Sequence, residues 1–310
     1  VVCIKILCVG LMVCDLMVKP VTEQALREDT SQAEMIRMQV GGDAFNVASN
    51  LAALGVETAL YSAVGRDAFG DFALAYAEKL GVPAQWIQKT DRPTSVTAVL
   101  IHPDGERNFV VQKGASQQLR EEEISDELLK AYDMIYIGSA CGLPELEGES
   151  LTRLLKRAKD LGRLTAMDIT GEALQEKASQ LLPALALLDY FLPSSYEAME
   201  LSGEKTPEAA AAYFHRHGVP VAVIKLGKQG ALLSDGRKQK RFSAYEGPVI
   251  DTTGAGDAFV SGFLAGISRE KKLSDCVRLG NGAGTLCVGK VGASGTLPAF
   301  KELSAFIGSD

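Results

Sequence analysis

Asp251-Thr252-Thr253-Gly254-Ala255-Gly256-Asp257-Ala258-Phe259-Val260-Ser261-Gly262-Phe263 decides the reading of this chain. Its first half is a run of small residues that makes a turn. Its second half has helical spacing: Phe259, Phe263 and Ile267 recur at four-residue intervals, with Val260 and Leu264 alongside. The turn therefore opens a helix. Gly254, Ala255 and Gly256 leave their backbone N–H groups uncovered where the helix dipole is positive. Such a place holds an anion, above all a phosphate in transfer. Asp257, in the first turn of that helix, sits beside the arriving negative charge, which suits an acid only if it handles a proton. The dipole is expected to hold its carboxyl below the ordinary range and make it a weak base. Asp251 adds a second acid on the approach. Gly262 and Gly266 cost a helix about 1 kcal/mol each relative to Ala, so a close neighbour is expected to need the space.

The whole string resembles the C-terminal signature of the ribokinase-like carbohydrate kinases, the PfkB family. Three further blocks, in the family's order, carry the same resemblance. Gly41-Gly42-Asp43-Ala44-Phe45-Asn46-Val47-Ala48, with Leu51, Leu54 and Gly55, is similar to the N-terminal signature. Val64-Gly65-Arg66-Asp67-Ala68-Phe69-Gly70 comes next, and Lys225-Leu226-Gly227-Lys228-Gln229-Gly230 precedes the late helix.

Composition agrees. A chain of 310 residues, 46% hydrophobic and 23% charged, is ordinary for a soluble globular enzyme and long enough to bury a sizeable core. A net charge of −7, with no basic stripe, argues against nucleic-acid binding. Cys3, Cys8, Cys14, Cys141, Cys276 and Cys287 form no C-x-x-C pair and no zinc-ligand spacing with histidine, so buried thiols in a reducing cytoplasm are expected. No stretch reaches eighteen apolar residues, so no membrane span is expected, and the apolar start reads as a buried first strand because Lys5 interrupts it.

Short apolar runs at 4–9, 58–64, 134–137, 164–168, 190–192 and 221–226 alternate with helical patterns at 46–54, 69–80, 124–131, 147–161, 172–182 and 209–217. That alternation predicts a three-layer α/β fold, a mainly parallel sheet with helices on both faces. Ligands bind such sheets beyond the strand C-termini, where Gly10, Gly65, Gly138 and Gly227 fall. Residues 94–101 and 108–111 flank Pro103-Asp104-Gly105 as a hairpin. Together with strand-like parts of 11–40, this hairpin, about 94–113, matches the small β-sheet lid that the resemblance implies over the sugar, set in one kinase domain spanning 1–310. An exposed apolar face on the lid would also suit a homodimer. Gly284 to Val291 nearly spells a phosphate loop, but Val291 replaces the metal-binding hydroxyl and the run suits a buried helix.

The resemblance implies an ATP-dependent sugar kinase. Gly254, Ala255, Gly256 and the amide of Asp257 would form the anion hole, with the Asp257 carboxylate taking the proton of the attacking hydroxyl. Asp15, Gly42, Asp43 and Asn46 would contact the sugar, and Arg107 would reach over it, unless it is a solvated charge on the hairpin. Lys225, Gly227 and Gly230 would border ATP, with Asn281 and Gly282 near the adenine. Glu197 would organise Mg²⁺ through water, although Ser194 stands where the family's Asn-x-x-Glu motif has asparagine, and Asp168 and Thr170 lie where relatives carry Asp-x-Asn. Many relatives use K⁺, and Asp251, Thr253, Gly292 and Thr296 fall at corresponding positions. The acceptor stays open among ribose-, fructose- and 2-keto-3-deoxygluconate-like sugars. A nucleoside kinase would need a shelf for the base from Phe45, Trp86 or Phe109, and a non-catalytic sugar or nucleotide sensor would need no base at Asp257.

Overall fold

The computed structural model of the protein describes residues 3–308 apart from Glu172. The first half of the chain runs β1 (Ile6–Val9), β2 (Val13–Lys19), β3 (Met35–Gly41), α1 (Asp43–Ala53), β4 (Thr58–Gly65), α2 (Ala68–Lys79), β5 (Ile87–Thr90), β6 (Val96–Ile101), β7 (Arg107–Gln112), α3 (Asp126–Lys130), β8 (Met134–Ala140) and α4 (Gly148–Asp160). The second half runs β9 (Leu164–Ile169), α5 (Leu174–Leu185), β10 (Tyr190–Phe191), α6 (Ser195–Ser202), α7 (Pro207–Arg216), β11 (Val221–Lys225), β12 (Ala231–Ser234), β13 (Gln239–Phe242), α8 (Ala255–Ile267), α9 (Leu273–Val288) and α10 (Phe300–Phe306).

Nine strands form one sheet in the order β13-β12-β11-β10-β9-β8-β1-β4-β5, parallel except for the terminal β12 and β13. Alternation along β1 explains why it is buried on both sides. Ile6 and Cys8 point into the layer of α1, α2, α8 and α9, while Leu7 and Val9 point into the layer of α3 to α7. A second sheet, β3-β2-β6-β7, forms the lid. Its hairpin is β6 and β7, as the alternating residues predict, and β2 and β3 fill the ends of segment 11–40.

Two departures from the expected pattern have clear causes. The first helix begins at Asp43 rather than at 46, because Gly42 leaves the extended strand at φ 97°. The expected start of the fifth helix, Glu172, lies outside the described residues, and the helix runs from Leu174. Gly262 and Gly266 are explained by α9: a Cβ at Gly262 would lie 2.5 Å from the Leu279 carbonyl oxygen, and one at Gly266 would lie 2.8 Å from Cys276 Sγ. The near-phosphate-loop at 284–291 is helical through Val288, as its apolar content predicts. Among the described residues no helix is long and apolar enough to cross a membrane.

Candidate active site

Gly10, Gly65, Gly138 and Gly227 all lie at the C-terminal ends of parallel strands, and the site opens there. Gly254 caps α8 with φ 74°, a left-handed conformation that favours glycine, and a Cβ on it would stand 2.3 Å from Ala293 Cβ. The first α8 residues then show which amides are open. The Ala255 N–H bonds the Thr252 carbonyl at 3.3 Å, so this amide is drawn into the turn, a correction to the expected set. The N–H groups of Gly256 and Asp257 meet no partner among the described residues.

Four buried or half-buried carboxylates, those of Asp15, Asp43, Asp168 and Asp257, lie on this side of the fold. Asn46 Nδ2 donates to Asp257 Oδ2 at 2.8 Å, joining the first signature to the last. The Asn46 Oδ1 is buried with no partner, and Asn46 itself is only 5% exposed. Its position is 4.0 Å from where a Cβ on Gly41 would lie, a point 2.5 Å from Asp15 Oδ2. Asp15, Asn46 and Asp257 therefore line one small space. Asp43 Oδ2 accepts from Ser139 Oγ at 2.6 Å. Ser139, which sequence reasoning missed, is held at φ 58° where β8 shifts register against β9. Only the strand-end position of Gly138-Ser139 hinted at it.

Lys225 closes the other side. Its ammonium hydrogen-bonds Asp168 and lies 3.5 Å from where a Cβ on Gly256 would be, beside the open amides. Burial would lower Lys225, but Asp168 and Glu197 outweigh it, and the side chain keeps its proton. Burial pushes Asp257 well above the ordinary carboxylate range, with Asp43 adding to the rise and Asn46 and Lys225 pulling against it. The direction is opposite to the depression expected at the helix N-terminus: desolvation and Asp43 raise the group more than Asn46 and Lys225 lower it. Burial likewise raises Asp43, and it pushes Asp15 up to about 7.

The remaining candidates are more scattered. Glu197 and Ser194 form a reciprocal capping box on α6: Ser194 Oγ accepts from the Glu197 amide at 3.2 Å, and Glu197 Oε2 accepts from the Ser194 amide at 2.7 Å. Ser194 also bridges to Lys225 at the end of β11, so Glu197 stays near the site with its second oxygen free of that cap. Gly227 is open, with nothing within 4 Å of a Cβ, whereas Gly230 packs under the Phe242 carbonyl. Asn281 spends its amide on the carbonyls of Phe242 and Ser243 at 3.1 and 3.0 Å, and a Cβ on Gly282 would lie 2.4 Å from Ile307. These contacts fix both residues where α9 packs against the end of β13 and against α10.

Arg107 finds its partners in the loop before α8. It reaches from the lid to Asp251, Nη2 to Oδ1 at 2.7 Å, and its Nη1 donates to the Thr253 hydroxyl. Asp251 also accepts from the amides of Thr253 at 2.8 Å and Gly292 at 3.2 Å. Thr296 turns its carbonyl to Lys290 Nζ at 2.6 Å. Of the three residues that would shelve a base, Phe45 is fully buried, Trp86 packs against the core, and only Phe109 is exposed, on the lid.

A family model described as pfkB family carbohydrate kinase matches residues 4–299. An uncharacterized sugar kinase of Archaeoglobus fulgidus is 29% identical over 251 residues, covering 80% of this chain and 98% of that protein. Among solved structures, a ribokinase from Thermotoga maritima superposes with a TM-score of 0.85 at 26% identity, covering 99% of this chain and 100% of its own. A fructokinase from Vibrio cholerae, bound to fructose, ADP and calcium ion, superposes with a TM-score of 0.82 at 25% identity, covering 99% and 100%.

Proposed function

Because the chain belongs to the pfkB family of carbohydrate kinases, we propose that it transfers the γ-phosphoryl of ATP to a hydroxyl of a small sugar, with the whole of 1–310 acting as one kinase domain under its lid. One observation carries the reading: the Asp257 carboxylate, held by Asn46, stands beside the open amides of Gly256 and Asp257 and the ammonium of Lys225. Sugar hydroxyls donate to Asp15, Asp43 and the unpartnered Asn46 Oδ1, and one hydroxyl is left directed at Asp257. Its oxygen attacks the γ-phosphorus and the bond to the β-phosphate oxygen breaks, releasing ADP. The hydroxyl proton passes to Asp257, whose raised pKa makes it a better acceptor than a surface carboxylate. The two amides and Lys225 face the charge on the migrating phosphoryl group, where positioning and electrostatics supply most of the rate.

A nucleotide-bound Mg²⁺ would supply neutralisation of phosphate charge here, its waters held by Glu197. Among the described residues no group of three acidic or thiol or imidazole side chains forms a metal cage, which suits an ion carried mainly by phosphates and water. The nearness of Glu197 to Lys225, with one oxygen free of the α6 cap, supports that water-holding role.

The lid's second face supports a homodimer. Ile36 and Val110 are 68% and 61% exposed, and Leu16, Val18, Met38, Ala98 and Leu100 occupy the same side of the sheet by register. Five of the six cysteines are buried and all six are free thiols, which suits the cytoplasm.

Release of ADP, screened over pentoses, hexoses, keto-sugar acids and nucleosides with Mg²⁺, tests the reading. Turnover on a sugar supports it. Preferred turnover on nucleosides moves the assignment to a nucleoside kinase, with Phe109 as the only exposed aromatic of the three candidates. ATP binding with no turnover on any acceptor overturns the catalytic reading in favour of a sensor.

A further inference from the structure

The four residues that the resemblance associates with potassium are met in this chain by two of its own cations. Asp251 is 5% exposed and already holds the Arg107 guanidinium at 2.7 Å, together with the amides of Thr253 and Gly292. The other half of the guanidinium takes the Thr253 hydroxyl. On the far strand of the loop the Lys290 ammonium takes the Thr296 carbonyl at 2.6 Å. A metal arriving here would add a third positive charge against the one carboxylate of the set. Of the side chains in the set only the Thr296 hydroxyl, beside the Cys287 thiol, is left unspent. With its carboxylate and one hydroxyl already committed to Arg107, the side-chain donor set suits a potassium ion poorly.

We propose that Arg107 and Lys290 replace a monovalent metal ion in this chain, so that turnover does not depend on potassium and the loop leading into the anion hole is braced from the lid. A guanidinium suits the task because its planar fork binds a carboxylate and a hydroxyl together and its charge is permanent. The brace acts at close range on the catalytic turn: Asp251 and Thr253 stand directly before Gly254, whose left-handed conformation sets the direction of the open amides. Since Arg107 opens β7, the brace is made when the lid lies over the site. The Arg107–Asp251 contact thus links substrate cover to the geometry of the anion hole, with no metal to be captured on each turnover.

The inference rests on the kinase reading only for its activity arm. The full chain is assayed with its best acceptor in choline, sodium and potassium chloride at equal ionic strength, and its thermal midpoint is measured in the same salts. The expected result is the same kcat within about twofold in all three salts, since only screening is common to them, and no potassium-specific rise in midpoint. A potassium stimulation of about tenfold or more, or a potassium-specific rise in midpoint, overturns the proposal. Arg107→Ala in choline chloride is expected to lower kcat at least about tenfold by leaving Asp251 buried and unpaired; unchanged turnover in that variant also overturns it. If no acceptor is turned over at all, the kinase reading fails, and the thermal comparison still decides the cation question.

Discussion

Asn46 and Asp257 are 211 residues apart in the chain, yet the Asn46 amide donates to the Asp257 carboxylate at 2.8 Å. One end of the bond lies on the helix that follows the lid strand β3, the other on the helix whose first turn leaves the Gly256 and Asp257 amides open. The contact fixes the carboxylate towards the same small space that Asp15 and the free Asn46 Oδ1 line. On the proposed reading, the groups that hold the sugar and the carboxylate that takes its proton therefore share one small space.

The first prediction concerns pH. Asp257 must be ionised to accept a proton, and burial followed by Asp43 raises its pKa. Turnover should fall as pH drops, with an inflection well above the ordinary aspartate value of about 3.9. Because the Asn46 hydrogen bond pulls that pKa down, Asn46→Ala should move the inflection upward. A kcat profile flat down to the ordinary carboxylate range, or a downward move in the variant, contradicts the assignment.

Ser139 tests the acceptor pocket. Ser139→Ala removes the 2.6 Å bond to Asp43 while keeping the carboxylate. A bond to a charged group is worth about 1.5–3 kcal/mol, so kcat/KM for the sugar should fall about tenfold or more, with the KM for ATP unchanged. Ser139→Gly should be as slow but more stable than the alanine variant, because φ 58° suits glycine. Equal effects on both substrates would place Ser139 outside the sugar site.

Asp15 links function to stability. Its folded pKa, pushed to about 7 by burial, exceeds the unfolded value of about 3.9. The folded state therefore binds this proton more tightly than the unfolded chain does. Its destabilising effect is absent below about pH 4, grows between the two values and is complete above about pH 7. Asp15→Asn should thus stabilise the protein at pH 8 by on the order of 2 kcal/mol and leave stability at pH 3.5 nearly unchanged, while weakening sugar binding. Denaturant midpoints at the two pH values check the sign, and a loss of stability at pH 8 refutes it.

Much of this was legible in the sequence because it is local. A glycine turn before an apolar helix is written in consecutive residues, and the strand–helix alternation follows from burial on both faces of a parallel sheet. Gly262 and Gly266 announced a close neighbour, and α9 is that neighbour. What was not legible depends on distant packing. The direction of the Asp257 shift is set by burial among residues from four elements, which no local pattern encodes. Ser139 acts through backbone strain at a register shift, invisible in a run of small residues. Ser194 and Glu197 sit at metal-motif spacing, and the same spacing is a helix start signal, so α6 was hidden behind the motif. Arg107 was readable as a charge on a hairpin, but only the closed fold brings it to Asp251.

The most direct test replaces the carboxylate and keeps its shape. Transfer of labelled γ-phosphoryl from ATP to the best acceptor is measured for the wild-type chain and for Asp257→Asn, with binding of sugar and nucleotide measured on both. The expected result is that the variant binds both ligands with similar affinity and transfers at least about a hundredfold more slowly, the scale of a lost general base. Transfer by the variant at close to the wild-type rate would remove Asp257 from the reaction.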